Sequence, residues 1–282
     1  MKTTAAARRR KWLIISVVAF CALGLLTGLA LYRGLTLRRY ALAAGAALPP
    51  LRFMLVSDLH SVSYREGQRE ILSMISSQNP DAIFLAGDFF DSLYPSHPSL
   101  AFFEGVTAIA PCFFVSGNHD LWRGAYDAVL PFLEGLGIMV LDGDTAAMDV
   151  RGRRVYVSGI GDPTYDAYTD DLLRYLRQID SSFSSLPGDG YRILLAPRPE
   201  LIDWYARYGF DLVLSGHTHG GQVRIPLLLN GLYAPPQGWF ARYTGGLYRV
   251  GDTALIISRG CSYYPQIPRI FNPPEICLIN VD

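Results

Sequence analysis

Cys112-Phe113-Phe114-Val115-Ser116-Gly117-Asn118-His119-Asp120 joins an apolar run of strand character to a turn bearing a carboxamide, an imidazole and a carboxylate. Asn118 can offer a carbonyl oxygen to a cation, His119 can hydrogen-bond or protonate a phosphate ester, and Asp120 can fix the tautomer of His119. Taken alone, residues 117–120 suit a satisfied polar turn equally well. Three other strand-like runs end the same way, in Asp58-Leu59-His60, in Gly87-Asp88-Phe89-Phe90-Asp91 and in Gly216-His217-Thr218-His219-Gly220-Gly221-Gln222. Four of the five histidines therefore sit at strand ends beside Gly or Asp, a pattern that points to one shared centre.

Working outward, apolar periodicity predicts strands over 51–57, 82–86 and 112–115, separated by helices over 66–76 and 99–109 and followed by a helix over 125–136. Strand–helix alternation describes an α/β sheet, which places its site beyond the C-terminal ends of its strands. After Gly137 the texture changes to short runs at 138–141, 146–150 and 155–158, divided by Asp-Gly and Arg-Gly turns and read as hairpins entering a second sheet. A helix over 171–179, a strand over 191–195, a helix over 200–208 and a strand over 210–215 lead to the double-histidine loop. The tail offers strands at 247–250, 254–257 and 276–281. In an extended segment Asp58 and His60, like His217 and His219, are two apart and point to one side.

The 282-residue chain has a formal net charge of zero, but residues 1–40 hold eight basic residues and no acid. The remainder carries 17 basic against 25 acidic residues. An acidic body argues against nucleic-acid backbone binding, and means that an anionic substrate needs metal ions to make its pocket attractive. Residues 12–32 carry no charge and follow Arg8-Arg9-Arg10-Lys11, enough to span about 30 Å of hydrocarbon. The positive-inside rule then sets residues 1–11 in the cytoplasm and the body outside. A cleaved signal peptide remains open, since 41–46 offers small-residue sites, and Arg9-Arg10-Lys11-Trp12-Leu13 resembles a twin-arginine export signal. Residues 33–50 read as a tether and 51–282 as one domain. Four cysteines make no disulfide scaffold at this size; Cys261 and Cys277 can pair in an oxidising compartment or stay buried thiols. Residues 225–240 are apolar and rich in breakers; they either form a rim that meets a bilayer or acyl chain, or pack over the sheet.

The ordered set Asp58-x-His60, Gly87-Asp88 with Asp91, Gly117-Asn118-His119-Asp120 and Gly216-His217-Thr218-His219-Gly220-Gly221-Gln222 resembles the calcineurin-like metallophosphoesterases, over roughly residues 50–282. Gly159-x-x-Asp162 and the ending from Arg259-Gly260 through Phe271-Asn272-Pro273-Pro274-Glu275 extend the resemblance, and the N-terminal part looks like the exported or membrane-linked bacterial branch. The resemblance implies an α/β fold, a two-sheet metallophosphoesterase sandwich with α-β-β-α layers behind an N-terminal transmembrane helix. It further implies one metal on Asp58, His60 and His219, a second on Asn118 and His217, and Asp88 bridging. Water on the metals attacks phosphorus in line, while His119 backed by Asp120 stabilises the transition state or protonates the leaving alkoxide. Divalent ions are implied, one or two per chain, with Mn²⁺ favoured and Fe, Zn or Mg as alternatives.

One departure stands out. The family's histidine ligand after the strand at 193–195 falls here on Pro197, in Ala196-Pro197-Arg198-Pro199-Glu200, which has neither a side-chain ligand nor a backbone N–H. The second metal is then expected to be weaker, absent or completed otherwise, with Arg198 supplying positive charge by adjacency. Arg269 is a further phosphate contact or a surface salt bridge. The expected substrate is a phosphodiester or pyrophosphate of an envelope lipid, cell-wall or nucleotide-linked compound, with the membrane and the twin-arginine export machinery as partners and no nucleic acid. The alternative is a weakened member acting as a membrane-anchored binding or scaffold protein.

Overall fold

Along Leu51–Val56, Phe53 and Leu55 face one core while Met54 and Val56 face another, and this two-sided burial organises the molecule. The computed structural model describes residues 2–43, 50–91, 93–122, 126–163, 171–263 and 268–282. The strands in chain order are β1 (Thr36–Leu42), β2 (Leu51–Val56), β3 (Ala82–Ala86), β4 (Cys112–Val115), β5 (Met139–Val140), β6 (Thr145–Val150) and β7 (Arg153–Gly159). They continue as β8 (Tyr191–Leu195), β9 (Leu212–Ser215), β10 (Tyr233–Ala234), β11 (Gly238–Trp239), β12 (Gly246–Val250), β13 (Thr253–Ile257) and β14 (Glu275–Val281). The helices are α1 (Lys2–Ala30), α2 (Arg69–Ser76), α3 (His97–Val106), α4 (Asn118–Trp122), α5 (Tyr126–Gly135), α6 (Asp171–Phe183) and α7 (Ile202–Tyr205).

Two mixed six-stranded sheets result, ordered β1-β14-β2-β3-β4-β5 and β12-β13-β9-β8-β7-β6, with β10 and β11 as a separate small hairpin. Between the sheets lies a dry layer in which Phe53, Phe84 and Phe113 of the first meet Val157, Ile193 and Leu214 of the second. The outer face of the first sheet is covered by Ile71 and Ile75 of α2 and Phe102 and Phe103 of α3. Tyr175, Ile179 and Phe183 of α6 cover the second. The layers are α-β-β-α, as the resemblance implies, and the strand ends bearing the polar motifs converge on one edge of the sandwich.

Three local readings change. Residues 36–42 are not tether: β1 pairs in parallel with β14 from Thr36↔Glu275 to Leu42↔Val281, a partner more than two hundred residues away. Met139–Val140 extends the first sheet beside β4 instead of entering the second. The helix expected over 200–208 is split into 3-10 turns at Pro199–Leu201 and Ala206–Tyr208 around the single turn of α7. All four cysteines are free. In α1, Ala7–Ala30 contains an 18-residue stretch of mean hydropathy 2.5, none of it buried, which meets the length and composition of a membrane span and equally those of a signal sequence.

Candidate metal centre

The residues that carry the polar groups leave their strands through left-handed turns. Asp58 (φ 53), His60 (φ 48), Asp88 (φ 59), His217 (φ 70) and His219 (φ 47) all have positive φ. Such conformations cost of order 1–3 kcal/mol each in non-glycine residues and persist only where the surroundings enforce them. Convergence of Asp58 with His60 and of His217 with His219 is therefore achieved by turn geometry, not by strand alternation. Asp58 N–H donates to the Gly87 carbonyl at 2.9 Å and His60 N–H to the Asp88 carbonyl at 3.0 Å, lacing the first two loops together. The His119 and His217 N–H groups donate to Asp88 Oδ1 at 2.8 Å and Asp58 Oδ1 at 2.9 Å. Glycine is required at 117, where a Cβ would lie 2.2 Å from Asp88 Oδ1.

Two His/Asp groups, sharing His60, bring ligand atoms within 4.8 Å of one another: Asp58, His60 and His219, and His60, Asp91 and His119. In the first, His219 Nε2 lies 3.8 Å from Asp58 Oδ1. His60 Nδ1 is 3.1 Å from Asp91 Oδ2, a contact that leaves Nε2 as the ligand nitrogen. Burial, helped by His60 and Arg269, holds the His219 pKa well below the usual histidine range, giving the neutral imidazole a metal requires. Burial and the neighbouring Asp88 push the Asp58 carboxyl up to about 6. For Asp88, burial is outweighed by the His217 imidazole 3.6 Å away and by the neighbouring His60 and His119, which keep its pKa below the usual range. Asp58 Oδ2, Asn118 Oδ1 and His217 Nδ1 are buried without a hydrogen-bond partner. Buried polar atoms of this kind carry a desolvation cost that divalent cations would offset, so the donor set fits metal binding.

The family model for calcineurin-like phosphoesterases matches residues 51–221, more than half the chain. This chain belongs to the calcineurin-like phosphoesterase family. A zebrafish (Danio rerio) transmembrane protein with metallophosphoesterase domain is 30% identical over 245 residues, covering 82% of this chain and 53% of that protein. The Escherichia coli phosphodiesterase YaeI is 29% identical over 245 residues, covering 82% of each. A Campylobacter jejuni metallophosphoesterase, Cj0846, is 25% identical over 238 residues, covering 82% of this chain and 59% of that one. The chain thus spans little more than half the length of the zebrafish and Campylobacter relatives.

As a calcineurin-like phosphoesterase, the protein departs from its sequence-based reading at Asp120. The Asp120 carboxylate accepts from the N–H groups of Asp88 (2.8 Å), Phe89 (2.9 Å), Phe90 (3.0 Å) and Gly117 (2.8 Å). Those four donors turn it into the loop that presents Asp88, so it braces two motifs and does not back His119. The carboxylate facing His119 is Asp91, whose Oδ2 is 3.5 Å from His119 Nδ1. Asp91 was legible only as the last residue of Gly87-Asp88-Phe89-Phe90-Asp91. Its role needed the fold.

Arg269 is not in a surface salt bridge. It is buried, donates to the Arg259 carbonyl at 2.7 Å and lies 3.2 Å from His219 Nδ1 and 3.4 Å from Ser262 Oγ. Ser262 Oγ, 3.1 Å from the same Nδ1, can accept its proton, which keeps Nε2 toward Asp58. Arg198 does reach the centre. Its Nε and Nη2 donate to Asp162 at 2.6 and 2.9 Å and its Nη1 lies 3.2 Å from His217 Nε2. Pro197 is buried beside it, and His97 sits exposed at the start of α3, in neither of the two His/Asp groups.

Proposed function

We propose that the protein hydrolyses a phosphodiester or pyrophosphate, carried by an envelope lipid, a cell-wall compound or a nucleotide-linked compound. The observation that carries this is the convergence of Asp58, His60 and His219 within 4.8 Å at the strand ends, with Asp88 and His119 alongside. Asp58, His60 and His219 would hold one divalent ion with Asp88 beside them, while a second would fall to Asn118 and His217, where the Arg198 guanidinium 3.2 Å from His217 Nε2 competes with it. Such ions, Mn²⁺ for preference, supply Lewis acidity toward phosphoryl oxygens and lower the pKa of water. His119, with a side chain 30% exposed in an otherwise closed centre, faces where a substrate enters. Its imidazole hydrogen-bonds a phosphoryl oxygen or gives a proton to the leaving alkoxide, with Asp91 setting its ring orientation. Arg198, on the far side of His217, is held by Asp162 with Glu200 at 3.9 Å, so the positive charge it turns toward an anionic substrate is partly offset by those carboxylates.

The body faces the extracytoplasmic side, with residues 1–11 in the cytoplasm, residues 12–32 in the membrane and a domain that begins at β1 rather than after residue 50. The charge asymmetry of residues 1–40 supports this topology, and Arg9-Arg10-Lys11 supports twin-arginine export of a folded, metal-loaded chain. Pro197 favours a second reading, a binding or scaffold protein that has lost catalytic capacity. The test is a Mn²⁺-supplemented panel of a bis-aryl phosphodiester, an aryl monoester, nucleotide diesters and lipid pyrophosphates, run beside Asp88→Asn and His119→Ala. Hydrolysis of the diesters that both substitutions abolish supports the enzyme; equal traces from all three proteins support the scaffold.

A further inference from the structure

Within residues 225–240, Gly231 and Ala234 are buried but the apolar tips stand away from the sheet. Leu227 and Leu228 are 105% and 85% exposed, and Trp239 and Phe240 are 69% and 72% exposed. Among the described residues beyond 50, seven of the eleven exposed large hydrophobics fall between 225 and 247, so the exposure is one patch and not scatter. Its two tips are joined through Leu232, whose N–H donates to the Gly221 and Val223 carbonyls at 2.9 Å and whose carbonyl accepts from Phe240 N–H at 2.6 Å.

The patch adjoins the end of the apolar helix. Arg224 N–H donates to the Ile270 carbonyl at 2.9 Å, and the Phe271 N–H donates to the carbonyl of Ala30, the last residue of α1, at 2.8 Å. At its base lies a cavity of about 440 Å³ lined by Arg38, Arg224, Arg259, Asn230 and Tyr248. Glu275 pairs with Arg259 at 2.6 Å and is 3.9 Å from Arg38. Arg224 has neutral partners, the Gly220 carbonyl at 3.2 Å and the Asn230 side chain. Three guanidinium groups thus share one carboxylate. Burial and the neighbouring Arg259 lower the Arg224 pKa to about 10, with Glu275 offsetting only part of their effect.

We infer that this face docks on the bilayer holding α1, with Leu227, Leu228, Trp239 and Phe240 in the interface and an anionic lipid headgroup between Arg38 and Arg224. Aromatic and aliphatic side chains rimmed by arginines are what a membrane interface favours. A bilayer is selected over a protein partner because the patch continues directly from a segment apolar enough to cross one. The turn His219–Gly221, which bears the ligand His219, is tied to this face through the Gly221 carbonyl and the Leu232 N–H. The centre therefore opens beside the lipid surface, and its substrate class is a phosphoester on an amphiphile. The docking rests on α1 being retained as an anchor and is independent of the chemistry.

The experiment uses the full chain in liposomes containing doxyl-labelled lipids. An environment-sensitive fluorophore is placed at Leu228→Cys in a Cys21→Ser background, at native Cys21 on α1, and at Asp252→Cys at the far end of β12. Docking predicts blue-shifted, quenched emission at 228 and water-like, unquenched emission at 252. Adding phosphatidylglycerol to phosphatidylcholine should deepen the quenching at 228, with the half-effective amount rising about fivefold for each arginine removed in Arg38→Gln and Arg224→Gln. An unquenched 228 label with a quenched Cys21 label overturns docking and leaves the anchor standing. Loss of quenching at both overturns both. Quenching at 228 that ignores phosphatidylglycerol and the arginine substitutions overturns the headgroup site.

Discussion

The Arg198 guanidinium lies 3.2 Å from His217 Nε2 while forking onto Asp162 at 2.6 and 2.9 Å. A guanidinium only donates, so Nε2 must accept, and a neutral imidazole accepting there carries its proton on Nδ1. Nδ1 faces Asp88 Oδ2 at 3.6 Å. A ring so arranged has no lone pair for an ion. His219 Nδ1 meets both the Arg269 guanidinium at 3.2 Å and Ser262 Oγ at 3.1 Å, and the tautomer in which Ser262 Oγ takes the Nδ1 proton is the one that leaves Nε2 for an ion.

The expected consequence is one tightly held divalent ion per chain by elemental analysis after gel filtration, removed by chelation with loss of activity. Pro197→His with Arg198→Ala frees His217 and restores a ligand, and should raise the content toward two. Two tight ions in the unaltered protein would contradict the competition between Arg198 and the second ion.

Asp120→Ala should act on folding first. Four backbone N–H groups lose a charged acceptor, and hydrogen bonds to charged groups are each worth about 1.5–3 kcal/mol. A loss of about 3 kcal/mol or more, read as a fall in thermal midpoint along with metal content, is expected. An unchanged midpoint with only a slower turnover would restore Asp120 as the acid–base partner of His119.

Asp91→Asn should show the opposite balance. Asp91 orients both His60 (3.1 Å) and His119 (3.5 Å), and outer partners of metal-binding histidines are typically worth about 10–100-fold in affinity or activity. The thermal midpoint should move little, while metal titration followed calorimetrically shows weaker binding. Unchanged affinity would remove Asp91 from the centre.

Gly117→Ala places a Cβ 2.2 Å from Asp88 Oδ1. Relief requires Asp88 or the turn to shift, at a cost of about 1–3 kcal/mol. Turnover and metal content should fall together, and a variant with wild-type metal content would show the loop to be pliant.

Strand and helix placement was legible wherever a segment carries its own apolar pattern, as the short bounded runs of β3 and β4 do at Ala82–Ala86 and Cys112–Val115. The metal-centre candidates Asp58, His60, Asp88, Asn118, His119, His217 and His219 were legible because polar residues ending apolar strands have few other reasons to cluster. Residues 36–42 were not, since Arg38 and Arg39 break the alternation and the partner strand is Glu275–Val281.

Sequence by itself determined the α/β alternation and the donor types at the strand ends, because these follow from local periodicity and from which side chains can bind a cation; the four-layer sandwich came with the family resemblance. Tertiary structure alone decided which carboxylate serves which imidazole, and that Arg198 meets His217 across Asp162. It also decided that residues 225–240 face outward beside the end of α1. Those are contacts between segments distant in the chain, set by positive-φ turns and by sheet pairing, and no local pattern encodes them.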